Sequence, residues 1–215
     1  MAEDPPGLPA RKRSRPRTFL ADWVRLPAIQ RLRIAEINRI DGIHEQLASL
    51  PLFSSSDYDP AAAPGATVGG VRSENLCNLT YDPECFDLVL TSETLEHVPD
   101  LAAALRSISG VLAPGGRHIF TVPLLPGVPR TFARSVLHED GSIEHRATPI
   151  CHPGGDTGYP VFTEFADFPE ILRRAGFEVR VEFGPPTEDD LAQVYVCRIP
   201  ETQGMPDFNP EEPGG

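Results

Sequence analysis

Apolar and polar residues along the chain change period several times, and each change predicts an element. Leu32-Arg33-Ile34-Ala35-Glu36-Ile37 alternates apolar and polar positions and reads as a short strand. Gly42 to Leu50 carries Ile43, Leu47 and Leu50 at helical spacing, and Pro51 stops the run. Leu52 to Ser56 is a second strand candidate that ends at Asp57-Tyr58-Asp59-Pro60, and Val68–Arg72 is a third, weak one. The stretch Ala61–Gly70 between them is rich in Ala, Gly and Pro and too short for a full crossover helix. Phe86-Asp87-Leu88-Val89-Leu90-Thr91 is the strongest strand signal, an apolar run of the kind buried in a parallel sheet. After Pro99, Leu101, Leu105, Ile108, Val111 and Leu112 form one helical stripe, which Pro114-Gly115-Gly116 is expected to end. Arg117 to Val122 follows as a strand closed by Pro123. The section 124–162 shows no regular period and is expected to be irregular. Phe165 to Ala175 is a second clear helix, with Phe168, Ile171 and Leu172 inward and Gly176 beyond its end. Phe177–Phe183 and Ala192–Ile199 alternate like strands.

Strands that alternate with helices predict an α/β layered fold with a mostly parallel sheet. Such sheets bind ligands at the carboxyl ends of their strands, near a switch in strand order. The places to look for chemistry are therefore Glu36–Gly42, Asp57–Asp59, Ser73–Asn75, Thr91–His97 and Pro123 onward.

Composition narrows the function classes. The chain has 215 residues, 40% of them hydrophobic, which suits one globular domain with tails. No apolar run approaches the roughly 18 residues of a spanning helix, so no membrane association is expected. The formal charge is −12, and a strongly acidic chain is a poor match for a nucleic-acid backbone, so nucleic acid is not expected as a partner. The charge is unevenly placed. Residues 1–17 carry a local excess of bases and 200–215 only acids; both are rich in Pro and Gly and lack periodicity, which predicts disordered tails around a domain over 18–199. Cys77, Cys85, Cys151 and Cys197 form no CxxC pair, which indicates neither a zinc ribbon nor a disulfide framework. The start lacks the apolar core of a secretory signal, so a cytoplasmic location is expected.

The stretch from Cys85 to Pro123 makes the chain recognisable. A strand opening with Phe86-Asp87, a turn Glu96-His97-Val98-Pro99-Asp100 into a helix, and the Pro114-Gly115-Gly116 turn into a strand ending at a proline together resemble the class I S-adenosylmethionine-dependent methyltransferases. The resemblance covers roughly residues 32–123 by motif. The helix and strands over about 163–199, with Ala175-Gly176-Phe177 as a late turn, match in order and spacing. It implies a Rossmann-like α/β fold, a mostly parallel seven-stranded sheet with helices on both faces, and S-adenosyl-L-methionine as cofactor.

The same resemblance assigns residues. Glu36 to Gly42 stands for the acid and glycine-rich turn of the first strand, with Glu36, Asn38 and Gly42 as cofactor contacts. Asn38 and Ile40 occupy positions where glycines are expected. Asn tolerates left-handed backbone angles, whereas β-branched Ile40 does not, and this keeps open a degenerate relative that binds or regulates without catalysis. Asp57 takes the ribose hydroxyls and Tyr58 packs on the adenine; Ser73 and Glu74 lie in the segment that meets the adenine edge; Thr91, Ser92 and Glu93 lie under the methionine part. A nicotinamide reductase on a related sheet is a further alternative, disfavoured because no GxGxxG follows the first strand.

The acceptor is less defined. A hydroxyl acceptor benefits from a base, and His97 sits at the binding end of the sheet. Loop 124–162 adds His138, Glu139, Asp140, His145, His152, Asp156 and Tyr159, with Glu164 just beyond it. From these, His145 and His152 are taken as acceptor-site candidates beside His97. The spacing of these groups matches no metal motif, so no metal is expected. A small-molecule acceptor, a sugar or another hydroxyl-bearing metabolite, is the expected partner.

Overall fold

The computed structural model describes residues 27–124, 127–152, 158–183 and 193–201. The expected basic tail and all but the first two residues of the expected acidic tail lie outside these. The main sheet has eight strands. They are β1 (Ile34–Ile37), β2 (Phe53–Asp57), β3 (Thr67–Val68), β4 (Val71–Ser73), β5 (Phe86–Ser92), β6 (Leu112–Thr121), β13 (Glu178–Phe183) and β14 (Gln193–Arg198). Between β6 and β13 come six short strands: β7 (Phe132–Ala133), β8 (Ser135–Leu137), β9 (Ile143–His145), β10 (Cys151–His152), β11 (Tyr159–Pro160) and β12 (Thr163–Glu164). The α-helices are α1 (His44–Leu47), α2 (Leu101–Val111) and α3 (Phe168–Arg174).

The strand order is β13-β14-β6-β5-β1-β2-β4-β3. β4, β2, β1, β5 and β6 run parallel. β14 is inserted antiparallel between β6 and β13. The order reverses at β1, so the carboxyl ends of β1, β2 and β5 flank the switch point where α/β sheets bind ligands.

Both faces of the sheet are covered. Ile34, Ile40, Ile43, Leu47, Leu88, Leu90 and Ile119 form one apolar layer under α1. Ala35, Ile37, Val89, Phe120 and Tyr195 meet the buried stripe of α2 (Leu101, Leu105, Ile108) and of α3 (Phe168, Ile171, Leu172) on the other. Residues 34 and 35, or 88 and 89, enter opposite layers because successive strand side chains point to opposite faces.

Four expectations change in detail. The sheet has eight strands rather than seven, because the weak third strand folds as a hairpin, β3–β4, turning at Gly69 and Gly70 with φ 58° and 86°. The helix expected over 42–50 shrinks to one turn, since the carbonyl of Ile40 accepts from both Ile43 and His44 while turns flank either side. Pro114-Gly115-Gly116 does not separate helix from strand: α2 gives way directly to β6 at Leu112, and the turn is a bulge within it. Phe86 pairs with Leu112 and Leu88 already with Arg117, and Gly115 at φ 75° absorbs the extra residues. The last helix begins at Phe168 rather than Phe165. Phe165 bridges to Leu124, and Pro169 fits the first turn of α3.

The section 124–162 is also more ordered than expected. It forms the antiparallel pairs β8–β9 and β10–β11, and β7 pairs with β12 just beyond it. Arg134, almost fully buried, anchors this region: its Nε donates to Glu164 Oε1 at 2.9 Å and its Nη1 to the carbonyl of Thr148. No helix among the described residues is long and apolar enough to cross a membrane.

Candidate functional site

The loop after β1 is shaped by Glu36. Its side chain is fully buried, and Oε1 accepts from the Ile40 amide at 3.1 Å. Oε2 meets His44 Nδ1 at 2.6 Å and accepts from Ser55 Oγ at 3.0 Å. The acid at the strand end thus closes the turn that follows it and ties it to α1 and β2. Asn38 adopts φ 62° and Gly42 φ 80°. Both therefore occupy the left-handed region that a glycine-rich turn needs, and Asn pays little there because its short polar side chain bonds locally. Ile40 is not among the positive-φ residues; its side chain is wholly buried in the layer under α1. The turn keeps its shape with isoleucine at that place because the position does not require left-handed backbone.

Asp57 ends β2 beside this turn. Its Oδ1 accepts from the Arg39 amide at 2.8 Å, and Asn38 Oδ1 accepts from the Tyr58 amide at 3.1 Å. Among the described residues no hydrogen bond reaches Asp57 Oδ2. Tyr58 is half exposed. A cleft of about 220 Å³ opens here, lined by Arg39, His44, Ser55, Asp57, Gly70 and Val71.

Ser73 and Glu74 are both buried. Ser73 Oγ accepts from the Asp59 amide at 3.3 Å. The Glu74 carboxylate is engaged within its own loop, accepting from Arg72 Nε at 2.6 Å, the Thr80 amide at 2.9 Å and Thr80 Oγ1 at 2.7 Å. Its evident work is to hold the segment after β4 in place. At the end of β5, Thr91 Oγ1 lies 3.0 Å from His118 Nε2 and Ser92 Oγ lies 2.9 Å from Thr121 Oγ1, pinning β5 to β6. Glu93 has φ 50°, and its amide donates to the Thr121 carbonyl at 3.0 Å. The backbone therefore leaves the sheet sharply at this point and enters the turn Leu95–His97.

That turn meets the long loop. The Phe162 amide donates to the Glu96 carbonyl at 2.8 Å, and His97 Nδ1 lies 2.8 Å from the Pro160 carbonyl. A carbonyl only accepts, so Nδ1 carries the proton and Nε2 offers its lone pair. Pro160 belongs to β11, whose partner β10 places His152 opposite Tyr159. His152 Nδ1 consequently stands 3.1 Å from His97 Nε2, with the two rings nearly perpendicular and Tyr159 alongside. The Glu96 carboxylate, fully buried, completes the group: its Oε1 is 3.6 Å from His97 Nε2 and 3.7 Å from His152 Nδ1. Burial pushes the His97 imidazole below the usual histidine range, partly opposed by its bond to Pro160. His97 is therefore neutral near pH 7 and ready to accept a proton or a ligand.

His97 and His152, expected on separate grounds, are thus brought together from positions 55 residues apart. His145 stands elsewhere. It is exposed on β9 and bonded to Ser135 Oγ at 2.9 Å, and the close Glu/His group comprises Glu96, His97 and His152. Asp156 lies outside the described residues. Glu96 was not among the expected site residues; its signal was its place immediately before His97 at the end of the best strand. His44 was missed too, because nothing in a helical pattern marks a histidine as the partner of an acid eight residues earlier.

Known proteins agree with this architecture. Residues 34–120 match the family model described as a methyltransferase domain. The ubiquinone biosynthesis O-methyltransferase of Marinobacter nauticus is 31% identical over 127 residues, which is 58% of this chain and 50% of that protein. The chain thus spans about half the length of this relative. Among solved structures, an S-adenosylmethionine-dependent methyltransferase from Mesorhizobium loti matches with TM-score 0.53 at 20% identity, covering 85% of this chain and 97% of that one. The 1,6-didemethyltoxoflavin-N1-methyltransferase of Burkholderia thailandensis, solved with S-adenosylhomocysteine and its acceptor, matches with TM-score 0.50 at 19% identity, covering 86% and 76%. With its parallel sheet reversing at β1 and the antiparallel β14 inserted beside β6, the chain has the Rossmann-like fold of these solved structures, and residues 34–120, from β1 to β6, carry the match to the methyltransferase domain.

Proposed function

We propose that this protein methylates a hydroxyl group of a small molecule, with S-adenosylmethionine as methyl donor. The observation that carries the reading is the convergence at one edge of the sheet: the turn Asn38–Gly42, the open oxygen of Asp57, and Glu96 with His97 all follow the carboxyl ends of parallel strands, and His152 joins the last two from β10.

The residues suit the donor. Asp57 Oδ2 is free to accept from a ribose hydroxyl while Oδ1 is held by the Arg39 amide, so the carboxylate is oriented before anything binds. The left-handed backbone of Asn38 and Gly42 shapes the turn that lies against the amino-acid portion. Thr91, Ser92 and Glu93 form the floor where β5 ends. Tyr58, half exposed beside Asp57, offers a ring face to adenine. When bound, the donor supplies an electrophilic methyl group on a sulfonium.

The chain then has to position the acceptor and take its proton. The hydrogen bond to Pro160 fixes the His97 tautomer so that Nε2 accepts, and His152 lies 3.1 Å away on the more exposed side. The acceptor hydroxyl gives its proton to this pair as its oxygen bonds the methyl carbon. A requirement for a base favours oxygen over nitrogen or carbon as the acceptor atom, in keeping with the O-methyltransferase relative. The net charge of −12 supports a small metabolite rather than nucleic acid.

Calorimetric titration with S-adenosylmethionine and S-adenosylhomocysteine tests the reading, followed by mass spectrometry of a panel of phenolic and sugar acceptors. Micromolar binding of both and methylation of a hydroxylated acceptor are expected. Absence of binding to either compound overturns it, and methylation confined to amines overturns the choice of acceptor atom.

A further inference from the structure

We propose that Glu96, His97 and His152 form a binding site for a divalent first-row transition ion such as zinc. The three donor atoms, Glu96 Oε1, His97 Nε2 and His152 Nδ1, form a triangle with edges of 3.1, 3.6 and 3.7 Å. The centre of such a triangle lies about 2.0 Å from every corner, the length of a bond from a zinc-like ion to imidazole nitrogen or carboxylate oxygen. Three ligands in that arrangement nearly surround the ion in one plane and leave both sides of the plane for water or a substrate oxygen.

Other features of the site agree. His97 donates its remaining N–H to the Pro160 carbonyl, the outer contact that orients metal-binding histidines and leaves the other nitrogen for the metal. Glu96 brings a fully buried carboxylate whose charge offsets part of the ion's. Two imidazoles and one carboxylate are a donor set for zinc, iron or manganese rather than for calcium or magnesium. The ligands come from two separate elements, the turn after β5 and strand β10, so an ion here also staples the long loop to the sheet.

The site's existence does not depend on the methyltransferase reading, but its role does. A divalent ion at this edge would bind the acceptor oxygen and lower its pKa; in the metal-loaded protein this replaces proton transfer to the histidine pair, and the proton passes to water.

The test begins with full-length protein freed of metal by chelation and dialysis, then titrated with Co²⁺ under visible absorption and competed with Zn²⁺. One equivalent is expected, with ligand-field bands that Zn²⁺ abolishes. His152→Ala, a change at a partly exposed side chain, is expected to weaken Co²⁺ binding roughly a hundredfold. Glu96→Gln is expected to weaken it also. S-adenosylhomocysteine affinity, measured in parallel, is expected to be unchanged in folded His152→Ala, as judged by circular dichroism. No saturable Co²⁺ binding overturns the site, as does binding undiminished in both variants. Metal binding without S-adenosylhomocysteine binding would keep the site and remove the methyltransferase reading; the reverse would remove only the site.

Discussion

Asn38 and Asp57 each bond to the backbone beyond the other's strand. Asn38 Oδ1 accepts from the Tyr58 amide at 3.1 Å and Asp57 Oδ1 accepts from the Arg39 amide at 2.8 Å. The Asn38 amide continues the β1–β2 ladder to the Ser56 carbonyl at 2.8 Å. The ends of the two strands are therefore fixed relative to each other, and Asp57, with one carboxylate oxygen left over, lines the cleft.

Asp57→Ala is expected to weaken S-adenosylhomocysteine binding by roughly 1.5–3 kcal/mol, the scale of hydrogen bonds to a charged group. Asp57→Asn keeps an acceptor for the Arg39 amide and isolates the loss of charge; its effect should be smaller. Isothermal titration of the two variants checks this. An affinity unchanged in Asp57→Ala would place the ribose on another acid.

The two residues that replace glycines in the turn should respond to glycine to different degrees. Asn38→Gly suits φ 62° and loses one hydrogen bond, about 1 kcal/mol. Asn38→Ala loses the same bond and adds backbone strain of about 1 kcal/mol or more. Ile40→Gly, although it restores the family pattern, empties a fully buried site and is expected to cost at least the roughly 2–5 kcal/mol of a large-to-small core change. Urea denaturation of the three variants checks the order. Ile40→Gly at no cost in stability would contradict the packing role.

These positions also show how far the sequence could be read. The alternation in β1 and β5, and the stripe of α2, announce themselves because burial on one face forces a period. The identities of Glu36 and Asp57 as strand-end acids follow from where the strands stop. What Glu36 bonds does not follow, since His44 and Ser55 arrive through tertiary contact. His97 was legible as a histidine at the binding edge. Its pairing with His152 was not, because two-residue strands such as β10 and β11 have no period to detect, and the contact depends on the Pro160 carbonyl. Ile40 looked incompatible with the turn only because a motif position carries no φ value.

The ion pair Arg134–Glu164 should be worth far more to the loop than its surface counterparts. Its side chains are 1% and 11% exposed, against 51% and 58% for Arg39–Glu45. Removing the Glu164 carboxylate takes its counter-charge from a nearly fully buried guanidinium, so Glu164→Ala is expected to cost about 3 kcal/mol. Replacing both, as Arg134→Met with Glu164→Leu, should recover much of that loss. Removal of Glu45 should stay below about 1 kcal/mol. Thermal unfolding of the four proteins measures the differences; equal effects of Glu164→Ala and Glu45→Ala would refute the assignment.

His118 sets a prediction for acid stability. It is fully buried in β6, stacked on Phe120 at 4.3 Å, with Nε2 on Thr91 Oγ1 and no partner for Nδ1 among the described residues. Burial pushes its pKa down to about 3, from the ordinary 6.5. The native state thus holds fewer protons on this group than the unfolded chain at any pH between those values. The contribution to stability is complete above the unfolded pKa and is lost progressively as pH falls from about 6.5 toward about 3. Between pH 7.5 and 5 the expected loss is about 2 kcal/mol, at 1.36 kcal/mol per pH unit below 6.5. His118→Gln keeps a hydrogen-bonding group for Thr91 but does not titrate, so its stability should fall by about 2 kcal/mol less over that range, whatever its value at pH 7.5. Urea unfolding of both proteins at several pH values between these limits gives the two slopes. Parallel slopes would mean that His118 titrates alike in the folded and unfolded states. A slope steeper in the wild type confirms that a neutral imidazole is sealed between β5 and β6, directly beneath the residues that end at the binding edge.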